Sequence, residues 1–144
     1  MRILVATDGS ESASRAVSLA AQLAQESKAD LKILHVISPL NLPIDQLEEY
    51  ARWEHVTLGE VLNTFAEEKL AAARKQAEAL GVCNAATESP YGDIAETIIE
   101  TAKRDHIDLI VVGKRGRGRL SGLVLGSVSQ KIVSVATCAV LVVP

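Results

Sequence analysis

After the unbroken apolar run Leu109 to Val112, the chain reads GKRGRGRLSGLVLGS over residues 113–127. Glycines beside cations at the end of such a run suit a phosphate. A glycine lets backbone approach an anion with no Cβ in the way, and the amides at a following helix start sit at the positive end of its dipole. The stretch is not a P-loop, because no Gly-x-x-x-x-Gly-Lys-Ser/Thr can be read and Lys114 follows the wrong glycine. Nor does it supply Gly-x-Gly-x-x-Gly, since Ser121 stands at the third glycine's place after Gly116 and Gly118. What it offers is Gly113 at a strand end, then Gly116, then Gly126-Ser127 opening a helix, where Gly126, Ser127 and Val128 present amide donors and Ser127 adds a hydroxyl. The plain alternative is a glycine-rich surface turn with Ser127 as N-cap. Spacing alone does not separate the two.

A second candidate is Asp8, in ATDGSES directly after the first apolar run. A carboxylate there can bind a ribose hydroxyl or a metal, although Asp-Gly-Ser more commonly makes a turn or caps a helix. In open α/β sheets, ligands bind outside the carboxyl ends of the strands where strand order reverses. Asp8 and Gly113 both stand at such ends and would share a cleft if their strands are neighbours. Lys114, Arg115, Arg117 and Arg119 suit a nucleotide's phosphates or plain solvation. With no aromatic residue among them to stack on bases, and a net charge of −3, nucleic acid is not the expected partner. His35, His55 and His106 share no ligand spacing and are read as structural, His35 as a strand-end residue with a hydrogen-bond partner. No Ser/His/Asp or Cys/His arrangement supports a nucleophile, so no catalytic residue is assigned.

These residues need a frame, and the chain provides one. Its 144 residues suit one domain, and 48 % apolar with only 3 % aromatic content calls for a core of Ala, Val, Leu and Ile. Apolar runs at Ile3–Ala6, Leu31–Ile37, Cys83–Thr87, Leu109–Val112 and Ala139–Val143 alternate with helical patterns. The alternation predicts an α/β fold with a parallel sheet covered on both faces. Ala13, Ala16, Val17, Ala20, Leu23 and Ala24 follow Ser10, a candidate N-cap. Leu58, Leu62, Phe65, Leu70, Ala73, Ala77 and Leu80 make the longest stripe, closed by Gly81. Ile94, Ala95, Ile98, Ile99 and Ala102 follow Gly92-Asp93, and Val124, Val128, Ile132 and Val135 make the last helix. The segment SPLNLPIDQLEEYARWEH, residues 38–55, is too long for an ordinary connection. It reads as a short amphipathic helix with Ile44, Leu47 and Ala51 on one side, serving as a lid, an interaction surface or a packed extension of the next helix. Cys83 and Cys138 lack metal-ligand spacing and are expected as small buried hydrophobes in a reducing cytoplasm. No apolar stretch has the length to span a bilayer, and the opening MRILVATDGS reads as a strand rather than a leader.

Taken together, the chain resembles the universal stress protein family over nearly its full length. The likeness rests on DGSESASRA after the first strand, on a Gly-x2-Gly-x9-Gly-Ser/Thr nucleotide motif at Gly113, Gly116, Gly126 and Ser127, and on the ending SVSQKIVSVATCAVLVVP. The resemblance implies a five-stranded parallel sheet of order 3-2-1-4-5 with helices on both faces, a Rossmann-like fold. It also implies ATP as ligand, with Mg²⁺ or Mn²⁺. On that pattern Ala6, Thr7 and Asp8 hold the adenosine, Asp8 meeting the ribose, and the backbone of Val36 meets adenine. Val112, Gly113, Arg115 and Gly116 line the ribose and phosphates, while Gly126, Ser127, Val128 and Ser129 receive the phosphates. The implied order puts Cys83 and Cys138 at opposite sheet edges, about 19 Å apart, too far for a disulfide. It also leaves Ala139–Val143 as an apolar edge strand, through which members of the family often form homodimers.

Two departures from the family pattern stand out: Lys114 replaces the small residue usual after the first motif glycine, and Ala139 replaces a proline after the cysteine. The function expected is that of an ATP-binding, nucleotide-dependent regulator or binding module in stress response, at most a weak ATPase. One rival is an interaction module with the loop empty and the segment after Pro39 docking a partner. Another is an adenylating enzyme, but Thr7-Asp8-Gly9-Ser10 is not the Ser-Gly-Gly-x-Asp-Ser loop such enzymes carry.

Overall fold

The computed structural model describes residues 1–116 and 125–144. Arg117, Gly118 and Arg119 of the cation-rich stretch, and Val124 of the last helical pattern, lie outside them. The described elements are β1 (Arg2–Ala6), α1 (Glu11–Ser27), β2 (Asp30–Leu34), a 3-10 turn (Pro39–Asn41), α2 (Ile44–Trp53) and α3 (Leu58–Ala79), then β3 (Ala86–Glu88), α4 (Ile94–Arg104), β4 (Leu109–Gly113), α5 (Ser127–Val135) and β5 (Ala139–Val143). The strands form one parallel sheet in the order β3-β2-β1-β4-β5, as expected, so β1 and β4 are neighbours at the reversal.

Helices cover both faces, which is why Ile3, Leu4 and Val5 of β1 are all fully buried rather than alternating. On one face Ile3, Val5, Ile33 and Val111 pack against Ala16, Val17 and Ala20 of α1 and Leu70 and Ala77 of α3. On the other, Leu4, Leu34, Ile110 and Val112 meet Ile98 and Ile99 of α4 and Ile132 of α5. Alanines along α1 and α3 let these helices sit close to the sheet, which suits a core almost without aromatics.

Local chemistry sets the helix ends. The Ser10 hydroxyl accepts from the Ala13 amide at 3.2 Å, and Asp93 caps α4 through the Glu96 amide at 3.0 Å. Thr57 and Glu60 form a reciprocal capping box on α3. Gly81 closes α3 at φ +93°, with the Val82 amide reaching back to the Ala77 carbonyl at 3.0 Å. His55 and His106 take the same left-handed position after α2 and α4, at φ +56° and +51°. Both stand one residue beyond a helix C-cap, the place Gly81 takes after α3.

Several boundaries differ from the sequence expectation. β2 ends at Leu34 rather than Ile37, with one isolated parallel bridge from Ile37 to Tyr91 beyond it. β3 covers Ala86–Glu88 instead of Cys83–Thr87, because the turn after Gly81 occupies the residues before it. Cys83 is therefore exposed and Cys138 half-buried; both are free, and neither is the buried hydrophobe expected. Residues 38–55 do form a short helix with Ala51 buried, and Leu42 and Leu47 pack on Ile37, Leu62 and Ala66. Phe65, expected on the buried stripe of α3, is 40 % exposed. Among the described residues no helix is long and apolar enough to cross a membrane.

Candidate functional site

A cleft of about 1260 Å³ opens over the carboxyl ends of β1, β2 and β4. The twelve residues that the family likeness assigned to the nucleotide all line it. The end of β1 contributes Ala6, Thr7 and Asp8; the chain after β2 contributes Val36; β4 and its exit contribute Val112, Gly113, Arg115 and Gly116. The start of α5 contributes Gly126, Ser127, Val128 and Ser129.

Asp8 faces the glycine loop directly. Its Oδ1 accepts the Ser10 amide at 2.9 Å, so it shapes the turn while Ser10, not Asp8, caps α1. A Cβ built on Gly116 would lie 2.8 Å from Asp8 Oδ2. A side chain at 116 would therefore have to displace that carboxylate. Thr7 is buried, donating its amide to the Leu34 carbonyl at 2.9 Å and accepting the Gly9 amide on its hydroxyl at 3.2 Å. The ring Nδ1–H of His35 donates to the Thr7 carbonyl at 2.8 Å, giving this histidine its expected strand-end partner.

Backbone direction explains Val36. The amides of His35 and Ile37 bond to the carbonyls of Glu88 and Pro90, toward the β3 side, whereas the Leu34 carbonyl accepts Thr7 on the β1 side. Alternation turns the Val36 amide and carbonyl to that same β1 side. There β1 has already given way to the Asp8 turn, so a planar donor–acceptor edge faces the cleft.

The glycines play different parts from those the sequence suggested. A Cβ on Gly113 would stand 2.6 Å from Ser12 Oγ and 2.9 Å from the Ala13 amide nitrogen. Its missing side chain admits the first turn of α1. The Gly126 amide, expected to be free for phosphate, donates to the Lys114 carbonyl at 2.8 Å. The Ser129 hydroxyl bonds to the same carbonyl at 2.9 Å and is buried, so it braces the loop while its backbone belongs to the first turn of α5. Donors at the site then come from the amides of Ser127, Val128 and Ser129, which have no acceptor within the helix, and from the Ser127 hydroxyl. Lys114 acts through its backbone, its amide donating to the Val143 carbonyl at 2.6 Å. It is absent from the described residues lining the cleft.

Sequence reasoning missed Ser12 and the α3 wall. The buried Ser12 hydroxyl donates to the Val143 carbonyl at 3.0 Å and lies 3.5 Å from the Arg115 amide, pinning the loop between β5 and α1. Its signal was the second serine of Ser10-Glu11-Ser12, inside the first turn of the helix. Phe65, Lys69 and Gln76 of α3 also line the cleft. They follow one face at spacings of four and seven, a pattern overshadowed by the apolar stripe beside it. Among the described residues no group of three or more His, Cys, Asp or Glu could hold a metal. A divalent ion here would take most of its ligands from phosphate oxygens and water.

This arrangement defines a parallel α/β protein with an open cleft at its switch point. A family model, the universal stress protein family, matches residues 1–144. The chain belongs to that family. It is 36 % identical over 145 residues to universal stress protein YxiE of Bacillus subtilis, covering 99 % of this chain and 97 % of that one. It is 34 % identical to universal stress protein MJ0531 of Methanocaldococcus jannaschii, covering 99 % of this chain and 81 % of the other. Among solved structures, UspA from Lactobacillus plantarum superposes with a TM-score of 0.81 at 28 % identity, over 100 % of this chain and 97 % of that one. A universal stress protein in complex with cAMP superposes with a TM-score of 0.74, also at 28 % identity, over 100 % and 97 %.

Proposed function

We propose that this chain binds ATP with Mg²⁺ or Mn²⁺ in the switch-point cleft and works as a nucleotide-dependent regulator or binding module in stress response. The observation that carries the reading is the approach of Asp8 to the glycine loop, where a Cβ on Gly116 would meet Oδ2 at 2.8 Å. A carboxylate held there offers paired acceptors to ribose hydroxyls. The Val36 edge suits the ring nitrogens of a purine, and the first turn of α5 suits phosphates. The relative solved with cAMP supports an adenine nucleotide as the ligand class. A metal would neutralise phosphate charge and order the polyphosphate chain; the protein supplies amides and a hydroxyl around it.

The same reading includes a cytoplasmic homodimer joined along β5. Val140, Leu141 and Val142 of this edge strand are only partly buried within one chain, which leaves apolar surface for a second copy.

The test is ATP titration calorimetry with Mg²⁺ on the parent protein and two variants. Gly116→Val drives bulk into Asp8 and should cost at least tenfold in affinity. Ser127→Ala removes one hydroxyl donor but keeps the amides, and should cost only a few-fold, in line with about 1 kcal/mol for one hydrogen bond. Parent-like affinity in Gly116→Val would contradict the geometry.

A further inference from the structure

The outer face of α2 stands apart from the cleft. Leu47 on its inner side and Leu42 just before it pack on α3, but the helix itself buries only Ala51. Trp53, the single tryptophan, is 78 % exposed, and Tyr50, one turn earlier, is 51 % exposed. Val56 follows at 40 %. Large aromatics held in the open cost hydration, and Trp and Tyr are the residues most enriched at the energetic centres of protein interfaces. None of the three lines the nucleotide cleft.

The charge around them is one-sided. Within residues 44–54, Asp45, Glu48, Glu49 and Glu54 stand against one cation, Arg52. Helical spacing puts Glu49 one turn before Trp53 and Asp45 one turn before Glu49, so the acids flank the apolar strip. This charge selects the occupant. An anionic membrane surface would be repelled, and a second copy of the same face would bring like charges together.

We propose that the outer face of α2 is a docking surface for a basic, amphipathic segment of a partner protein, with Tyr50 and Trp53 as anchors and the acids steering its approach. The face is independent of the nucleotide site, so the proposal stands whether or not the cleft binds ATP.

The test uses Trp53 as its own reporter. The probe is a synthetic amphipathic helix of leucines and lysines, compared with the same peptide bearing glutamates for lysines. Docking should shift the Trp53 emission to shorter wavelength with the lysine peptide only, at micromolar concentration. Combined Glu48→Lys and Glu49→Lys should weaken that binding at least tenfold at low salt while leaving ATP affinity as in the parent protein. Tyr50→Ala should weaken it with the charges intact, which separates docking from unspecific ion pairing. No shift at millimolar lysine peptide would overturn the proposal, as would equal binding of the two peptides. A shift produced instead by anionic vesicles, or by raising protein concentration alone, would overturn it in favour of a membrane or a second copy.

Discussion

Asp8 and the glycines show how one residue's chemistry depends on its neighbour. Gly113 and Gly116 share a motif but do different work: the first makes room for backbone at the start of α1, the second for a carboxylate. Their substitutions should therefore separate. Gly113→Ala puts a methyl against Ser12 and the Ala13 amide, where backbone must shift, and should lower stability by roughly 1–3 kcal/mol in chemical denaturation. Gly116→Ala should leave the denaturation midpoint close to the parent value and lower ATP affinity. A reversed pattern would contradict the assignment. Asp8→Ala should weaken ATP at least tenfold and change the affinity for inorganic triphosphate little, because the proposed binding mode puts the carboxylate on the ribose. At this scale the sequence named the cleft residues but not what each does. The motif records where a side chain is missing, whereas the atom that needs the space, Ser12 Oγ or Asp8 Oδ2, comes from a helix and the turn before it, more than a hundred residues earlier.

Among the elements, β3 depends most on charge. Lys32 of β2 bridges Glu88 of β3 and Asp105 after α4, and Arg104 bonds both carboxylates at 2.7 Å. The Arg104 hydrogen bonds, then those of Lys32, hold Asp105 well below the usual carboxylate range, and Arg104 likewise leads the lowering of Glu88. Burial alone would lower Lys32, but its bonds to Asp105 and Glu88 outweigh that and raise it. Carboxylates depressed in the folded state contribute stability that is complete above their unfolded values, near 4, and is lost as pH falls through the folded ones. The raised lysine contributes stability that is complete below about 10.4 and is lost as pH climbs past it. Urea midpoints should thus hold level between about pH 5 and 9 and fall below about pH 4. In Lys32→Met the acid-side fall should be shallower, because the carboxylates are less depressed to begin with. A parent-like slope in that variant would show that Lys32 does not hold them. None of this was legible in sequence, since the partners are spread over three elements. β3 itself was misplaced for a related reason: its Ala-Thr composition carries little strand signal, and pairing with Lys32, Ile33 and Leu34 decides where it lies. The long helices, by contrast, were readable from periodicity and caps.

For the whole molecule, the alternating pattern of strands and helices predicted the layered parallel sheet, while the order 3-2-1-4-5 came from the family likeness and not from any residue spacing. That order matters because it brings β1 beside β4 and so Asp8 beside Gly116. It also leaves β5 at an edge, where Leu141→Lys should shift the proposed dimer to monomer in sedimentation at micromolar concentration; an unchanged mass would remove β5 as the contact. The most direct test of the central reading needs no variant. Purified protein, mixed with ATP and Mg²⁺, freed of unbound ligand by rapid gel filtration and then denatured, should release adenine nucleotide that chromatography measures at close to one per chain. Release of no adenine nucleotide, together with no heat of ATP binding at millimolar ligand, would contradict it.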